Sequence, residues 1–84
     1  MYEIYATAHF SKAFRKLGSN AQDRIRKKIA EKLLEDPYAG RPLHGVLEGK
    51  CRLRVGDYRV VYEIDDHKKI IYLVAVGIRP TMYR

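Results

Sequence analysis

Residues 56–65 read GDYRVVYEID, and their alternation decides the fold. With side chains pointing to opposite faces in turn, Tyr58, Val60, Tyr62 and Ile64 share one side of a strand. Arg59, Val61 and Glu63 share the other. A strand that is apolar on one face requires a core beneath it and neighbours beside it. Both neighbours can be read directly. KCRLRV (50–55) precedes the Gly56-Asp57 turn, and IIYLVAV (70–76) follows a polar segment, 65–69. Three strands joined by two short turns form an antiparallel meander.

The layer covering this sheet is supplied by the N-terminal half. YEIYA (2–6) is aromatic and β-branched, which predicts a first strand. Phe10, Ala13, Phe14 and Leu17 then recur at helical spacing, and Gly18 ends that helix. Ser19 followed by Gln22 has the form of a capping box and predicts a second helix to Glu35, with Ile25, Ile29 and Leu33 as its stripe. Asp36-Pro37 stops it. The joint between the helices is very short, so they form an antiparallel hairpin. The Pro- and Gly-bearing stretch 36–49 reads as a loop. The expected architecture is β-α-α-β-β-β, an α+β domain in which a helical hairpin packs on one face of a small antiparallel sheet.

Eighty-four residues give a single domain, 1–84. A hydrophobic share of 46% is enough for a core and excludes a disordered chain. The charge is uneven: 17 Lys and Arg against 10 Asp and Glu, a formal +7. Such a domain is drawn to phosphate backbones or acidic protein surfaces. A lone cysteine, Cys51, forbids an internal disulfide and fits a reducing cytoplasm. No segment is long enough to span a bilayer, and no membrane partner is expected. His9, His44 and His67 are scattered without carboxylates at ligand spacing, so neither a metal site nor a cofactor is expected.

Sorting side chains by face collects the cations. Cys51, Leu53 and Val55 belong with the core, which leaves Lys50, Arg52 and Arg54 on the uncovered face together with Arg59. The last strand is apolar on both sides, so its end sets its orientation. Placing Arg79 outward puts Ile71, Leu73 and Ala75 outward and Tyr72, Val74 and Val76 under the helices. Lys50, Arg52, Arg54, Arg59 and Arg79 then form a cluster, with Glu63 the acid expected among the paired strands and Tyr83 close behind. Like charges side by side on a sheet are destabilising. A solvated strand face accounts for single cations; a cluster indicates an anion that it serves, and arginine's planar fork suits phosphate oxygens.

At these residues the sequence resembles the RelE/ParE superfamily of toxins, specifically its RelE branch. The similarity is carried by RLRVGDYRVVYEID and VAVGIRPTMYR, with FRKL in the first helix and LEDP closing the second. The resemblance implies a ribosome-dependent mRNA endonuclease that cuts codons in the A site and represses translation. It places the working residues at Lys50, Arg52, Arg59, Arg79 and Tyr83, with Arg54 alongside for RNA binding. It also implies an acidic, RelB-like antitoxin, contacts with ribosome and mRNA, and operator DNA reached only through the antitoxin. The chain departs from the family pattern at Ile78, where many relatives carry histidine, and at Arg52, where some carry lysine.

The implied chemistry is attack of an RNA 2′-hydroxyl on the adjacent phosphate, leaving a 2′,3′-cyclic end. Arg59 and Arg79 are the candidates for stabilising the transition-state charge. Lys50 is the candidate base, Arg52 neutralises charge near the leaving group, and Tyr83 stacks on or orients a base. The leaving-group acid is left open. The basic run DRIRKKIAEK reads first as a solvated helix face with Asp23 and Lys27 at i, i+4, and Lys27 and Lys28 are also candidates for ribosomal RNA contact. Two other functions fit the same fold: a ParE-like gyrase inhibitor without catalysis, and an inactive relative acting with its antitoxin in operator binding.

Overall fold

In the computed structural model, which describes residues 2–36, 41–42 and 50–78, the elements follow the expected order with one addition. They are β1 (Glu3–Ala6), α1 (Ala8–Arg15), α2 (Ser19–Lys28), a two-residue β2 (Arg41–Pro42), β3 (Cys51–Val55), β4 (Tyr58–Asp65) and β5 (Ile70–Ile78). The strands form one sheet in the order β1-β5-β4-β3-β2. β3, β4 and β5 make the antiparallel meander. The sheet is mixed rather than wholly antiparallel, because β1 runs parallel to β5, pairing Glu3 with Ile70 and Ala6 with Leu73. β5 is therefore hydrogen-bonded on both sides, which suits its unbroken apolar run. β2 falls within the stretch read as loop; it pairs Arg41 and Pro42 with Arg52 and Cys51 at the sheet edge, where a residue lacking an N–H is tolerated.

The helices cover one face. Phe10 of α1 is buried, and Ala13, Phe14 and Leu17 pack against the core. Thr7 starts α1: its Oγ1 accepts from the Phe10 amide (3.2 Å) and donates to the Leu73 carbonyl (2.8 Å). One side chain thus caps a helix and ties it to the central strand. α2 begins differently from the capping-box expectation. Gly18 is its N-cap without a side-chain bond, while Gln22 donates to the Phe14 and Leu17 carbonyls at the end of α1. The Phe14 carbonyl also accepts from the Leu17 amide (3.1 Å), so Gln22 adds a second donor there and serves the helix before it.

Beyond Lys28 the second helix continues as a π-helical turn, Ile29–Leu33. An α-helix has about 3.6 residues per turn, so positions four apart creep around the axis, and a wider π turn falls back. Together they keep Ile25, Ile29 and Leu33 on one line, all buried. Below them lie Leu53, Val55, Val60, Tyr62, Ile71, Leu73 and Val76.

Two features of β5 correct the facing inferred from sequence. Ile71 and Leu73 point into the core rather than outward, and Tyr72 points outward rather than under the helices. The cause is a register shift: Val61 pairs with Ala75, but Tyr62 pairs with Leu73, so Val74 is an extra residue in β5. A bulge of this kind reverses the alternation across it. Val76 is core and Ala75 outward, as expected, while everything before the bulge flips. Thr7 Oγ1 also lies 3.3 Å from the Val74 carbonyl, so the bulge is anchored where α1 begins.

Candidate functional site

The face opposite the helices resolves into three cross-strand rows. Cys51 pairs with Tyr62, so Lys50 just outside β3 meets Glu63, which pairs with Tyr72, which in turn pairs with Tyr5. The second row is Arg52, Val61 and Ala75; the third is Arg54, Arg59 and Gly77. The four expected cations within the described residues thus lie along one side of one face. The rigid meander positions them, because each sits at a fixed ladder register.

Side chains shrink from β3 towards β5 in the second and third rows, ending in a methyl at Ala75 and a hydrogen at Gly77. Val61 lies only 2% exposed although it faces away from the helices. Small side chains at Ala75 and Gly77 thus stand in register with the arginines of β3 and β4. Arg52 and Arg59 are half-buried and Arg54 is exposed. The Nε of Arg59 is buried, so its guanidinium is set into this surface rather than waving above it.

Lys50 Nζ lies 3.2 Å from Glu63 Oε1. The acid expected on this face is therefore directly paired with the lysine proposed as base. The two side chains thus stand as one ion pair at the end of the first row. Cys51 turns inward against the core, and burial pushes its thiol above the ordinary range while a hydrogen bond with the Tyr62 side chain pulls it down. Its environment is that of a packing residue rather than a nucleophile.

Lys27 and Lys28 do not join the rows. They line a cleft with Arg24, Glu31, Val55 and Gly56 on the helical side of the β3–β4 turn. The Arg24 guanidinium packs against Gly56, whose φ of +59° and lack of Cβ permit both the turn and this approach. Asp23 takes Arg26 as its partner at 3.4 Å, in place of the i, i+4 pairing with Lys27. Arg54 and Arg59 flank the same turn on the opposite face, so the hairpin tip is rimmed by cations on both sides. Arg79 and Tyr83 lie outside the described residues.

From sequence Tyr5 reads equally as a core or a partner-contact residue; in the structure it is exposed and meets the outward Tyr72 edge to face, with ring centroids 6.3 Å apart. The bulge hid Tyr72. Sequence reasoning also missed Thr7, although a threonine just before the first helical apolar residue is the usual N-cap signal.

Comparison with known proteins gives the family and the fold. The family model described as the ParE toxin of the type II toxin–antitoxin system matches residues 4–83. The chain is 35% identical over 69 residues to the mRNA interferase toxin RelE of Escherichia coli, covering 81% of this chain and 73% of that protein. It is 32% identical over 84 residues to the toxin RelE of Mycobacterium tuberculosis, covering 99% and 87%. The toxin in the RelBE2 toxin–antitoxin complex of M. tuberculosis superposes with a TM-score of 0.85 at 26% identity, covering 93% of this chain and 91% of that one. The isolated E. coli RelE toxin superposes with a TM-score of 0.79 at 29% identity, covering 99% and 92%. By sequence, by fold and by the arrangement of its strands, this chain belongs to the RelE/ParE superfamily of toxins of type II toxin–antitoxin systems.

Proposed function

We propose that this chain is the toxin of a type II toxin–antitoxin pair and acts as an mRNA interferase that cuts messages in the ribosomal A site. The observation that carries the reading is the cationic side of the outer face, in which Arg52, Arg54 and Arg59 stand at adjacent ladder positions. Three guanidiniums held on a rigid sheet suit an RNA backbone, and relatives at 35% and 32% identity bear the name RelE. The presence of antitoxin in solved complexes of such relatives supports a RelB-like partner here, and the net +7 of this chain favours an acidic one.

In this reading the 2′-hydroxyl of the message attacks the neighbouring phosphate. Charge accumulates on the phosphate oxygens in the transition state, and preorganised donors that meet it there are usually the largest catalytic contribution. Arg59 and Arg79 take that role, and Arg52 neutralises charge towards the leaving 5′-oxygen. The Lys50–Glu63 pair handles the proton of the nucleophile: Glu63 accepts it while Lys50 holds the carboxylate in place and adds positive charge, and as the bond to the 5′-oxygen breaks that oxygen takes a proton from water. Tyr83 orients a base, and Arg54 steadies the backbone. Lys27 and Lys28, with Arg24 beside them, form the contact to ribosomal RNA. The toxin works in the cytoplasm, and it reaches operator DNA only through its antitoxin.

Ribosome profiling after brief expression tests this reading. Message 5′ ends accumulating within A-site codons are expected. Double-strand DNA breaks with intact messages would instead support gyrase inhibition, which the ParE description of the matching family makes the reading to exclude. Neither effect would mark an inactive relative.

A further inference from the structure

The first row of the outer face is unlike the other two. It runs from Lys50 through Glu63 to Tyr72 and Tyr5, so it passes from charge to a pair of aromatic rings on the same surface. The rings meet at 84°, with Tyr5 52% exposed and Tyr72 half-buried. An edge-to-face pair uses one ring face only, and the arrangement fixes both rings. Tyr5 also donates to Glu3 Oε1 at 3.4 Å, which restrains its outer end. Neither ring belongs to the core cluster, and neither is required by the charge chemistry assigned above.

We propose that Tyr72 and Tyr5 form a base-stacking subsite for single-stranded RNA, next to the phosphate-binding arginines. This deepens the reading of the face as an RNA site and rests on it. Neighbouring strands are about 4.8 Å apart, so Tyr72 lies roughly 10 Å from the β3 cations, within the reach of one nucleotide. A base has a flat face for an aromatic ring, and its backbone has charge for the arginines; the two halves of the sheet match the two halves of a nucleotide. Glu63 separates them. Standing between the arginines and the rings, it meets the ribose 2′-hydroxyl of a nucleotide whose base lies towards the tyrosines and whose backbone lies towards Arg52 and Arg59.

The test uses ribosomes programmed with a message carrying 5-iodouridine in the A-site codon and 2′-O-methyl groups that block cleavage. Irradiation with the full-length protein bound is expected to crosslink the iodinated base to Tyr72 or Tyr5. On unmodified message, Tyr72→Ala is expected to raise KM about tenfold and to flatten the distribution of cut positions, with a much smaller effect on kcat, while Tyr72→Phe retains the parental pattern. A parental protein that cleaves unmodified message but crosslinks only elsewhere overturns the subsite and leaves the nuclease reading standing. Tyr72→Ala and Tyr5→Ala that weaken antitoxin binding alone, with cleavage and crosslinks unchanged, overturn it in favour of a protein-binding role. Absence of both cleavage and crosslinks overturns both.

Discussion

Arg54 and Arg59 stand directly opposite one another across the β3–β4 hairpin, two guanidiniums on one face of one pair of strands. Like charges in that relationship oppose folding by about 0.2–1 kcal/mol. The arrangement makes sense where the pair works on an anion, because the same repulsion that weakens the fold strengthens the pull on a phosphate.

Removing one member should therefore move stability and function in opposite directions. Arg54→Ala is expected to raise the urea midpoint slightly, by an amount corresponding to about 0.5 kcal/mol, while cleavage falls about tenfold or more. Equilibrium unfolding beside a cleavage assay measures both. A variant that is both less stable and fully active would mean that the two arginines serve the fold.

Glu63 is expected to matter beyond its charge balance with Lys50. Glu63→Gln keeps the shape and removes the proton acceptor, so kcat should fall by about 10²-fold with little change in KM. Since an exposed ion pair contributes roughly 0–1 kcal/mol, the variant should remain folded. Parental activity in Glu63→Gln would return the base to Lys50.

Thr7→Ala removes one hydroxyl that both caps α1 and holds the bulge of β5. Loss of the cap and of the bond to the Leu73 carbonyl should together cost about 1–2 kcal/mol. Thr7→Ser should recover most of it. Thermal or urea unfolding checks this, and an unchanged midpoint would show that the bulge does not depend on Thr7.

The antitoxin should find this surface through charge. With a net +7 and a cationic sheet face, the chain is expected to bind an Asp- and Glu-rich partner at a rate that falls steeply as salt is raised. Dissociation should respond much less, being governed by buried apolar contacts. Stopped-flow mixing with the product of the neighbouring gene across a salt series measures both rates. An on-rate indifferent to salt would show that charge does not bring the pair together.

What was legible in the sequence had a local cause. The alternation at 58–64 orients β4, the spacing of Phe10, Phe14 and Leu17 orients α1, and the face of Arg52, Arg54 and Arg59 follows from period two. β5 was not legible, because IIYLVAV is apolar on both faces and its facing depends on a single extra residue, Val74, visible only as a shift against β4. That one residue turned Tyr72 outward and completed an aromatic row that no sequence pattern announces. The parallel pairing of β1 was hidden for a similar reason: it is a tertiary choice between strands nearly seventy positions apart. The capping-box signal at Ser19 and Gln22 marked the right joint, but the Gln22 amide serves the carbonyls of the preceding helix instead.

The most direct test of the central claim places Arg59 on the ribosome. Purified parental protein and Arg59→Ala are incubated with ribosomes carrying a defined codon in the A site, and message 5′ ends are mapped over time. Naked message serves as the comparison. The parental protein is expected to cut within the A-site codon and to leave naked message largely intact, because the ribosome supplies substrate positioning. Arg59→Ala should be slower by about 10²–10³-fold while remaining folded and able to bind its antitoxin. Cleavage by Arg59→Ala at the parental rate, or parental cleavage of naked message as fast as on the ribosome, would contradict the account.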